Sequence, residues 1–360
     1  MAIGGPQRRF AQIANALGRK YHHLLIAMDS DYAALSLLAP EVPFETIDLM
    51  AGRRKSAGNI PAFRRALADL KPEALITYNW GAIEWAMANR FRPLSRHIHI
   101  EDGFGPEEVD RQIWRRVMFR RLALGGSHTT VVLPSLTLYK IATDRWKLPA
   151  TKLLLVPNGV DVERFAGADR ALAAERIGKR AGERLIGTVA RLRPEKNVGR
   201  LVEAFAGLAA RRPDCRLLIV GDGPQREAIE ALAHDRGVAG RTIFVGPTPA
   251  PEDYLAAMDV FAVSSDTEQM PLGVLEAMAA GLPVASVDVG DIAQMVDQSN
   301  RPFIVAAGDA SALGQAIEAL IVEPELGQRI GAANLDRARS VYTLQAMTSI
   351  YDQIYAGGPA

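Results

Sequence analysis

Residues 264–285 read S-S-D-T-E-Q-M-P-L-G-V-L-E-A-M-A-A-G-L-P-V-A. The stretch leaves an apolar run, Val260–Val263, crosses a turn holding Pro271 and Gly273, and enters a segment of helical character. A helix that begins where a strand ends offers fresh backbone N–H groups, which favour an anion such as phosphate. Two carboxylates, Glu268 and Glu276, flank that turn. Glu276 falls in the first or second helical turn, where dipole stabilisation alone would account for it. Glu268 stands at the strand end beside Pro271 with no such duty, while Asp266 next to it suits a turn former.

Outward from this stretch, short apolar runs alternate with longer helical patterns, the mark of parallel α/β folds. In the first half the strand-like runs are His23–Met28, Phe44–Leu49, Ala74–Tyr78, His97–Glu101, Thr130–Leu133 and Leu153–Pro157. The second half repeats the scheme with Leu185–Ala190, Leu217–Gly221, Thr242–Gly246, Val260–Ser264, Pro283–Val287 and Phe303–Val305. Helical spacing of apolar residues marks Val198–Ala210, Gln225–Arg236 and Leu313–Ile321 between them. At 360 residues the chain exceeds one ordinary core. The expected architecture is two Rossmann-like doubly wound domains facing a cleft, residues 1–165 and 183–341, joined by a polar, alanine-rich linker at 166–182. Residues 342–360 are expected as a C-terminal helix crossing back to the first domain. Ligands in such sheets bind at the carboxyl ends of the strands.

The composition, 48% hydrophobic and 23% charged, is that of an ordinary globular chain. Cys215 is the single cysteine, so no internal disulfide can form. No apolar run approaches the roughly 20 residues of a spanning helix, and no basic-then-apolar leader opens the sequence, so a cytoplasmic location is expected. Residues 1–165 hold 23 Lys and Arg against 16 Asp and Glu, a net +7, and the remainder nets −6. Such asymmetry points to an anionic partner for the first half.

Two further motifs bear on chemistry. In G-T-V-A-R-L-R-P-E-K-N, Arg191 follows a strand and Lys196 lies in the next loop before a helix. Two cations near a helix N-terminus suit a diphosphate, although solvated loop charges would read the same way. In L-L-I-V-G-D-G-P-Q-R-E, Gly221 and Gly223 allow a tight strand-to-helix turn. Arg226 stands where a dinucleotide fingerprint needs its third glycine, which disfavours a nicotinamide dehydrogenase. The six histidines show no ligand spacing, so no metal is expected. Diphosphate cations, a helix N-terminus and hydroxyl-accepting carboxylates are together what a nucleotide sugar requires.

The series N-G-V-D (Asn158–Asp161), V-A-R-L-R-P-E-K-N, V-G-D-G-P, F-V-G and E-Q-M-P-L-G-V-L-E-A-M-A-A-G-L-P-V-A resembles family 4 of the retaining nucleotide-sugar glycosyltransferases, which have the GT-B fold. The likeness runs over roughly residues 150–357 and includes a closing aromatic segment, Tyr342 to Tyr355. It implies that Glu276 binds the ribose hydroxyls and that Glu268 lies against the donor sugar. Arg191 and Lys196 would hold the diphosphate and stabilise it as it leaves. The backbone at Leu272 and Gly273 would lie at the phosphates, Gly221 would approach the donor, and the Gly246–Thr248 loop would face the nucleobase. Gln269 and Met270 stand where glycine and an aromatic residue are common, which bears on donor choice. Retention in this family is held to proceed by attack from the leaving-group side, with no cofactor and no metal. That agrees with the lack of a glycosidase-type carboxylate pair.

The first half is less regular. Gly4-Gly5-Pro6-Gln7-Arg8-Arg9 resembles the family's glycine loop, yet only Met1-Ala2-Ile3 precede it, too few for the first strand at about 3.3 Å per residue. That strand is therefore expected to be missing. In H-I-H-I-E-D-G-F-G-P-E-E, Asp102 aligns with the family's histidine beside the reacting sugar, with His99 as a possible substitute and a packed core histidine as its plainer reading. In R-Q-I-W-R-R-V-M-F-R-R-L-A-L, Ile113, Trp114, Val117, Met118 and Leu124 share one helical arc that Arg121 interrupts, and Arg111, Arg115, Arg116 and Arg120 lie mostly opposite. Such a helix either rests on anionic lipid or shows solvent a charged face over a packed stripe.

The resemblance thus implies a hexosyltransferase-type enzyme acting on a glycan, lipid-linked or phosphorylated acceptor in cell-surface polysaccharide or glycolipid synthesis. It would be cytoplasmic, with peripheral attachment to an anionic membrane surface at the inner face as the further option, and with no nucleic-acid partner. A nucleotide-sugar epimerase of the same fold, or a non-catalytic nucleotide-sugar-binding subunit, are the alternatives.

Overall fold

The computed structural model describes residues 4–49, 58–104, 106–108 and 111–358. These divide into two units: unit 1 takes the chain up to Asn158 together with Leu344 onward, and unit 2 runs Gly159–Thr343. The segment 166–182, expected as a linker, instead belongs to unit 2, where it carries a helix, Arg170–Arg176, with Ala173 in the core. Asp169 caps that helix with its carboxylate, which is why a polar, alanine-rich stretch folds rather than spans.

Unit 1 contains strands β1 (His23–Leu25), β2 (Phe44–Thr46), β3 (Ala74–Tyr78), β4 (Arg96–Ile100), β5 (Thr129–Leu133) and β6 (Leu153–Leu155). Its helices are α1 (Gly5–Leu17), α2 (Ile60–Leu70), α3 (Ile83–Ala88), α4 (Trp114–Leu124) and α5 (Leu136–Asp144). β1 and β2 pair in a two-stranded parallel sheet, and β3-β4-β5-β6 form a separate four-stranded parallel sheet. The expectation of a missing first strand falls on Met1–Ile3, outside the described residues.

Unit 2 contains α6 (Val162–Ala166), α7 (Arg170–Arg176), β7 (Arg184–Val189), α8 (Val198–Ala209), β8 (Cys215–Val220), α9 (Arg226–Asp235) and β9 (Thr242–Gly246). It continues with α10 (Glu252–Leu255), β10 (Val260–Val263), α11 (Leu272–Ala279), β11 (Val284–Val287), α12 (Ile292–Met295), β12 (Ile304–Val305), α13 (Ala310–Val322) and α14 (Pro324–Val341). The last helix, α15 (Leu344–Ala356), lies in unit 1, where Tyr351, Ile354 and Tyr355 join Ile13, Ile98 and Ile100 in one core.

The unit 2 sheet has the order β12-β11-β10-β7-β8-β9, all parallel. This is a doubly wound sheet, and its strand order reverses between β7 and β10. Both faces of its central strands are buried: one core gathers Leu185, Leu218, Phe261 and Val284, the other Ile186, Leu217, Ile219 and Ala262. Strands covered on both sides read as unbroken apolar runs, which is why they were visible in the sequence. The reversal places the loops after β7 and β10 side by side at the carboxyl edge.

Candidate functional site

The loop after β7 carries Arg191 and Lys196, and the loop after β10 carries Ser264–Glu268. The two are tied together by main chain and side chains. Asp266 N–H donates to the Glu195 carbonyl at 2.9 Å, Ser264 Oγ to the Lys196 carbonyl at 3.3 Å, and Arg200 Nη1 to the Ser264 carbonyl at 2.7 Å. Asn197, in a left-handed conformation with φ 39°, caps α8 by accepting from Arg200 N–H and donates from Nδ2 to both Asp266 oxygens at 3.1 Å. Asp266 is therefore the anchor of its loop, paired also with Arg200. On this frame Lys196 Nζ meets Glu268 Oε1 at 2.6 Å, and Ser265 Oγ donates to the same oxygen at 2.7 Å.

The neighbouring turns crowd against these loops, and glycines permit it. Gly221, at φ +131°, has its N–H on the Gly246 carbonyl at 2.8 Å, and a Cβ there would collide with the Ala190 carbonyl. The ends of β7, β8 and β9 thus meet as backbone on backbone. A Cβ on Gly273 would lie 3.1 Å from the Val189 carbonyl, so the N-terminus of α11 abuts the end of β7. Pro271 is its N-cap and supplies no side-chain acceptor. Glu276 lies half-buried in that helix, and its charge is among those that raise the pKa of Arg164, after the hydrogen bonds Arg164 donates to Glu252. Arg164 forks onto Glu252 with two contacts of 2.8 Å and donates to the Pro249 carbonyl at 3.0 Å, which pins the segment that follows Gly246–Thr248.

In unit 1, the carboxyl ends of the strands gather around Arg9 of α1. Its guanidinium is ion-paired with Asp102, donates to Asn158 Oδ1 at 2.9 Å and lies 5.9 Å from the Tyr351 ring centre. Burial pushes the Asp102 carboxyl up, and Arg9 opposes that shift. Asp102 N–H donates to Asn79 Oδ1 at 2.6 Å, so the turn after β4 is held by the turn after β3. Gly4 is the N-cap of α1, and nothing stands within 4 Å of the position a Cβ on Gly5 would take. His99 is fully buried, bonded to Thr77 and Glu101, and is enclosed by protein rather than open to the strand-end turn where Asp102 lies.

Among the described residues no three His, Cys, Asp or Glu side chains are grouped as metal ligands, and no helix is long and apolar enough to cross a membrane.

Two family models match the chain: "Glycosyl transferases group 1" over residues 169–337 and "Glycosyltransferase Family 4" over residues 3–164. The chain belongs to glycosyltransferase family 4. Similar curated proteins include a D-inositol 3-phosphate glycosyltransferase of Nocardia farcinica, 30% identical over 272 residues, covering 70% of this chain and 58% of that protein. A GDP-mannose-dependent α-(1-6)-phosphatidylinositol monomannoside mannosyltransferase of Mycobacterium tuberculosis is 32% identical over 251 residues, 66% of this chain and 62% of that protein. The chain thus spans about three fifths of the length of these relatives. Among solved structures, Anabaena HepE with UDP-glucose superposes with a TM-score of 0.81 at 19% identity, covering 99% of this chain and 96% of that one. WaaG, a glycosyltransferase involved in lipopolysaccharide biosynthesis, gives 0.78 at 19% identity over 99% and 98%. At these identities the likeness shows the fold, which is GT-B.

In this family 4 chain the tertiary structure brings Lys196 and Glu268 into contact and sets Gly221, Gly246, Gly273 and Leu272 around the same strand edge, with Glu276 in the helix that leaves it. Asp102 is in unit 1, paired with Arg9. Sequence reasoning missed Arg164, because its partners lie 85 and 88 positions away. It also missed Gly290, at φ +58°, where a Cβ would come 2.6 Å from the Glu268 and Gln269 carbonyls. A lone glycine with no neighbouring motif gives no sign of such an approach.

The basic helix α4 corrects one reading. Trp114, Met118 and Leu122 are 67%, 49% and 47% exposed, whereas Arg120 is fully buried. The expected packed stripe therefore faces outward in part, and a charge faces inward. Arg120 is tolerated inside because Glu108 takes both its terminal nitrogens at 3.1 and 3.3 Å. The rings of Trp80, Phe104 and Trp146 lie 5.1–5.2 Å from its guanidinium carbon.

Proposed function

We propose that this chain is a retaining, metal-independent glycosyltransferase that moves a hexose from a nucleoside-diphosphate sugar onto a glycan, lipid-linked or phosphorylated acceptor. The observation that carries the reading is the Lys196–Glu268 pair at the switch point of the unit 2 sheet, beside the uncapped N-terminus of α11. In that role Arg191 and Lys196 take the diphosphate and offset its charge as the sugar–phosphate bond breaks, assisted by backbone N–H groups of Leu272 and Gly273. Glu276 accepts from the ribose hydroxyls, and Glu268 accepts from hydroxyls of the donor sugar. The leaving diphosphate takes the acceptor's proton, so the protein supplies position and charge rather than a nucleophile. Lys196 and Ser265 fix the Glu268 carboxylate before any sugar arrives, which removes a reorganisation cost from binding.

The acceptor class follows from the relatives, whose names include inositol phosphate, phosphatidylinositol mannoside and lipopolysaccharide core. Unit 1 is assigned the acceptor, with Asp102 acting beside the reacting sugar. Synthesis of a cell-surface glycan from the inner face of a membrane fits the outward face of α4. There Trp114, Met118 and Leu122 are flanked by exposed Arg111, Arg115 and Arg121, a pairing suited to anionic lipid.

The test is a thermal shift against UDP, GDP and ADP with a paired screen of the matching sugar nucleotides for release of diphosphate. Stabilisation by one nucleotide, abolished in an Arg191→Ala, Lys196→Ala double variant, supports the donor site. No response to any nucleotide would sink it.

A further inference from the structure

His97, His99 and Glu101 alternate along β4 and its end, so all three point to one face of the unit 1 sheet. The strands on either side supply hydroxyls on that face, Thr77 from β3 and Thr129 from β5. All five side chains are buried. The distances link them in a row. Thr129 Oγ1 is 3.1 Å from His97 Nδ1, His97 Nε2 is 2.8 Å from Thr77 Oγ1, Thr77 Oγ1 is 2.8 Å from His99 Nδ1, and His99 Nε2 is 3.3 Å from Glu101 Oε2. The row ends on a charge, because Glu101 Oε2 lies 3.4 Å from Arg120 Nε, and Arg120 goes on to Glu108.

Such a row can carry its protons in only one order once its end is known. A carboxylate facing a guanidinium accepts and does not donate, so His99 Nε2 carries the hydrogen. His99 Nδ1 then accepts, which requires the Thr77 hydroxyl to donate to it. A hydroxyl has one hydrogen, so Thr77 oxygen must accept from His97 Nε2–H, and His97 Nδ1 accepts from Thr129. Each imidazole then holds a single proton. The opposite order is self-consistent only if His99 carries a second proton or Glu101 is neutral.

We propose that Thr129, His97, Thr77, His99 and Glu101 form one directed hydrogen-bond chain with both imidazoles as neutral Nε2–H tautomers, and that His99, through Glu101, is a positioning residue for the turn that carries Asp102. Glu101 is the residue before Asp102, and Arg120 couples it to Glu108, whose Oε1 accepts from Ile113 N–H at 3.0 Å. The device therefore holds both ends of the segment between β4 and α4. That this segment serves the acceptor rests on the function proposed above, whereas the chain itself does not. Burial, with His99 and His128 as further causes, also holds His97 well below its ordinary value, in keeping with a neutral ring.

The experiment is nitrogen-15 NMR of protein labelled at histidine, with His97 and His99 assigned from His97→Gln and His99→Gln variants, together with amide exchange of Asp102 and Ile113. It needs no substrate, so its outcome is independent of whether a donor is found. The expected spectrum shows both rings neutral and protonated at Nε2. An Nδ1–H tautomer or a charged ring at neutral pH for either residue overturns the directed chain. His99→Gln, whose side-chain N–H₂ can replace the Nε2–H, should keep exchange at both amides within about twofold. His99→Leu should speed it at least tenfold while Val189 in unit 2 is unchanged. Equal exchange in wild type and His99→Leu overturns the positioning role.

Discussion

Lys196 Nζ lies 2.6 Å from Glu268 Oε1, an ion pair between residues 72 positions apart whose loops follow the two strands at which the unit 2 sheet reverses. In the function proposed above, the pair sets a carboxylate for sugar hydroxyls directly beside a cation for phosphate charge. A nucleotide sugar presents those two chemistries on either side of its glycosidic oxygen. Removal of either partner should therefore damage a different half of the substrate interaction.

Glu268→Ala is expected to lower turnover by about 10²- to 10³-fold, the scale of one lost transition-state contact, with little change in nucleotide affinity. Glu276→Ala should do the reverse, weakening nucleotide binding by roughly 10- to 100-fold, as for a lost charged hydrogen bond of about 1.5–3 kcal/mol. Calorimetric titration with the nucleotide, beside steady-state rates, separates the two. Unchanged transfer in Glu268→Ala would refute its placement against the sugar.

Gly290→Ala tests the backbone behind Glu268. The residue is at φ +58°, and the added methyl would stand 2.6 Å from two carbonyl oxygens of the Glu268 loop. The left-handed conformation alone costs about 1–2 kcal/mol, and relief of the clash must move Glu268 or Gln269. Transfer should fall by tenfold or more while circular dichroism shows a folded chain. A variant of wild-type activity would show that this loop tolerates displacement.

Arg120 offers a contrast on one helix. Arg120→Leu leaves Glu101 and Glu108 buried without their shared cation and should destabilise unit 1 by about 3–5 kcal/mol. All four tryptophans, Trp80, Trp85, Trp114 and Trp146, belong to unit 1, so urea unfolding followed by their fluorescence reads that unit directly. Trp114→Ser with Met118→Ser should leave the unfolding free energy within about 0.5 kcal/mol of wild type, as befits exposed sites. The same double variant should lose binding to vesicles containing phosphatidylglycerol. Retained vesicle binding would count against α4 as the lipid-facing surface.

Acid should weaken unit 1 before most carboxylates titrate. Burial holds His97 well below its ordinary value, and His23 and His128 are lowered for the same leading reason. The unfolded chain takes up protons near about pH 6.5 that the folded chain refuses, so this stability is present above that pH and is lost as pH falls below it. Between about pH 7.5 and 5.5 the unfolding free energy from fluorescence-detected urea titration should fall, with a limiting slope of about 1.4 kcal/mol per pH unit from His97 and less from the more exposed His23 and His128. His97→Gln should flatten the profile. A midpoint independent of pH over that window would contradict a buried neutral His97.

The amino-acid sequence by itself determined the α/β architecture. Strands buried on both faces, such as Leu217–Val220, are unbroken apolar runs, and Ala74–Tyr78 and Thr242–Gly246 end where their runs end. The candidate residues of the proposed donor site were also nameable from the sequence, because Glu268, Arg191 and Lys196 sit in short segments after strands and Glu276 in the helix that follows one. Three things were settled only by tertiary structure. The domain boundary lies at Asn158–Gly159 rather than in 166–182, because Asp169 caps a helix there and Ala173 enters a core. Arg164 acquires its role from Pro249 and Glu252, far along the chain. Helical spacing marks α4 as amphipathic but cannot say which arc is covered. Arg120 goes inside and Trp114 outside because Glu101, Glu108 and three aromatic rings converge on the arginine from other elements, and periodicity records only the spacing of side chains, not what awaits them.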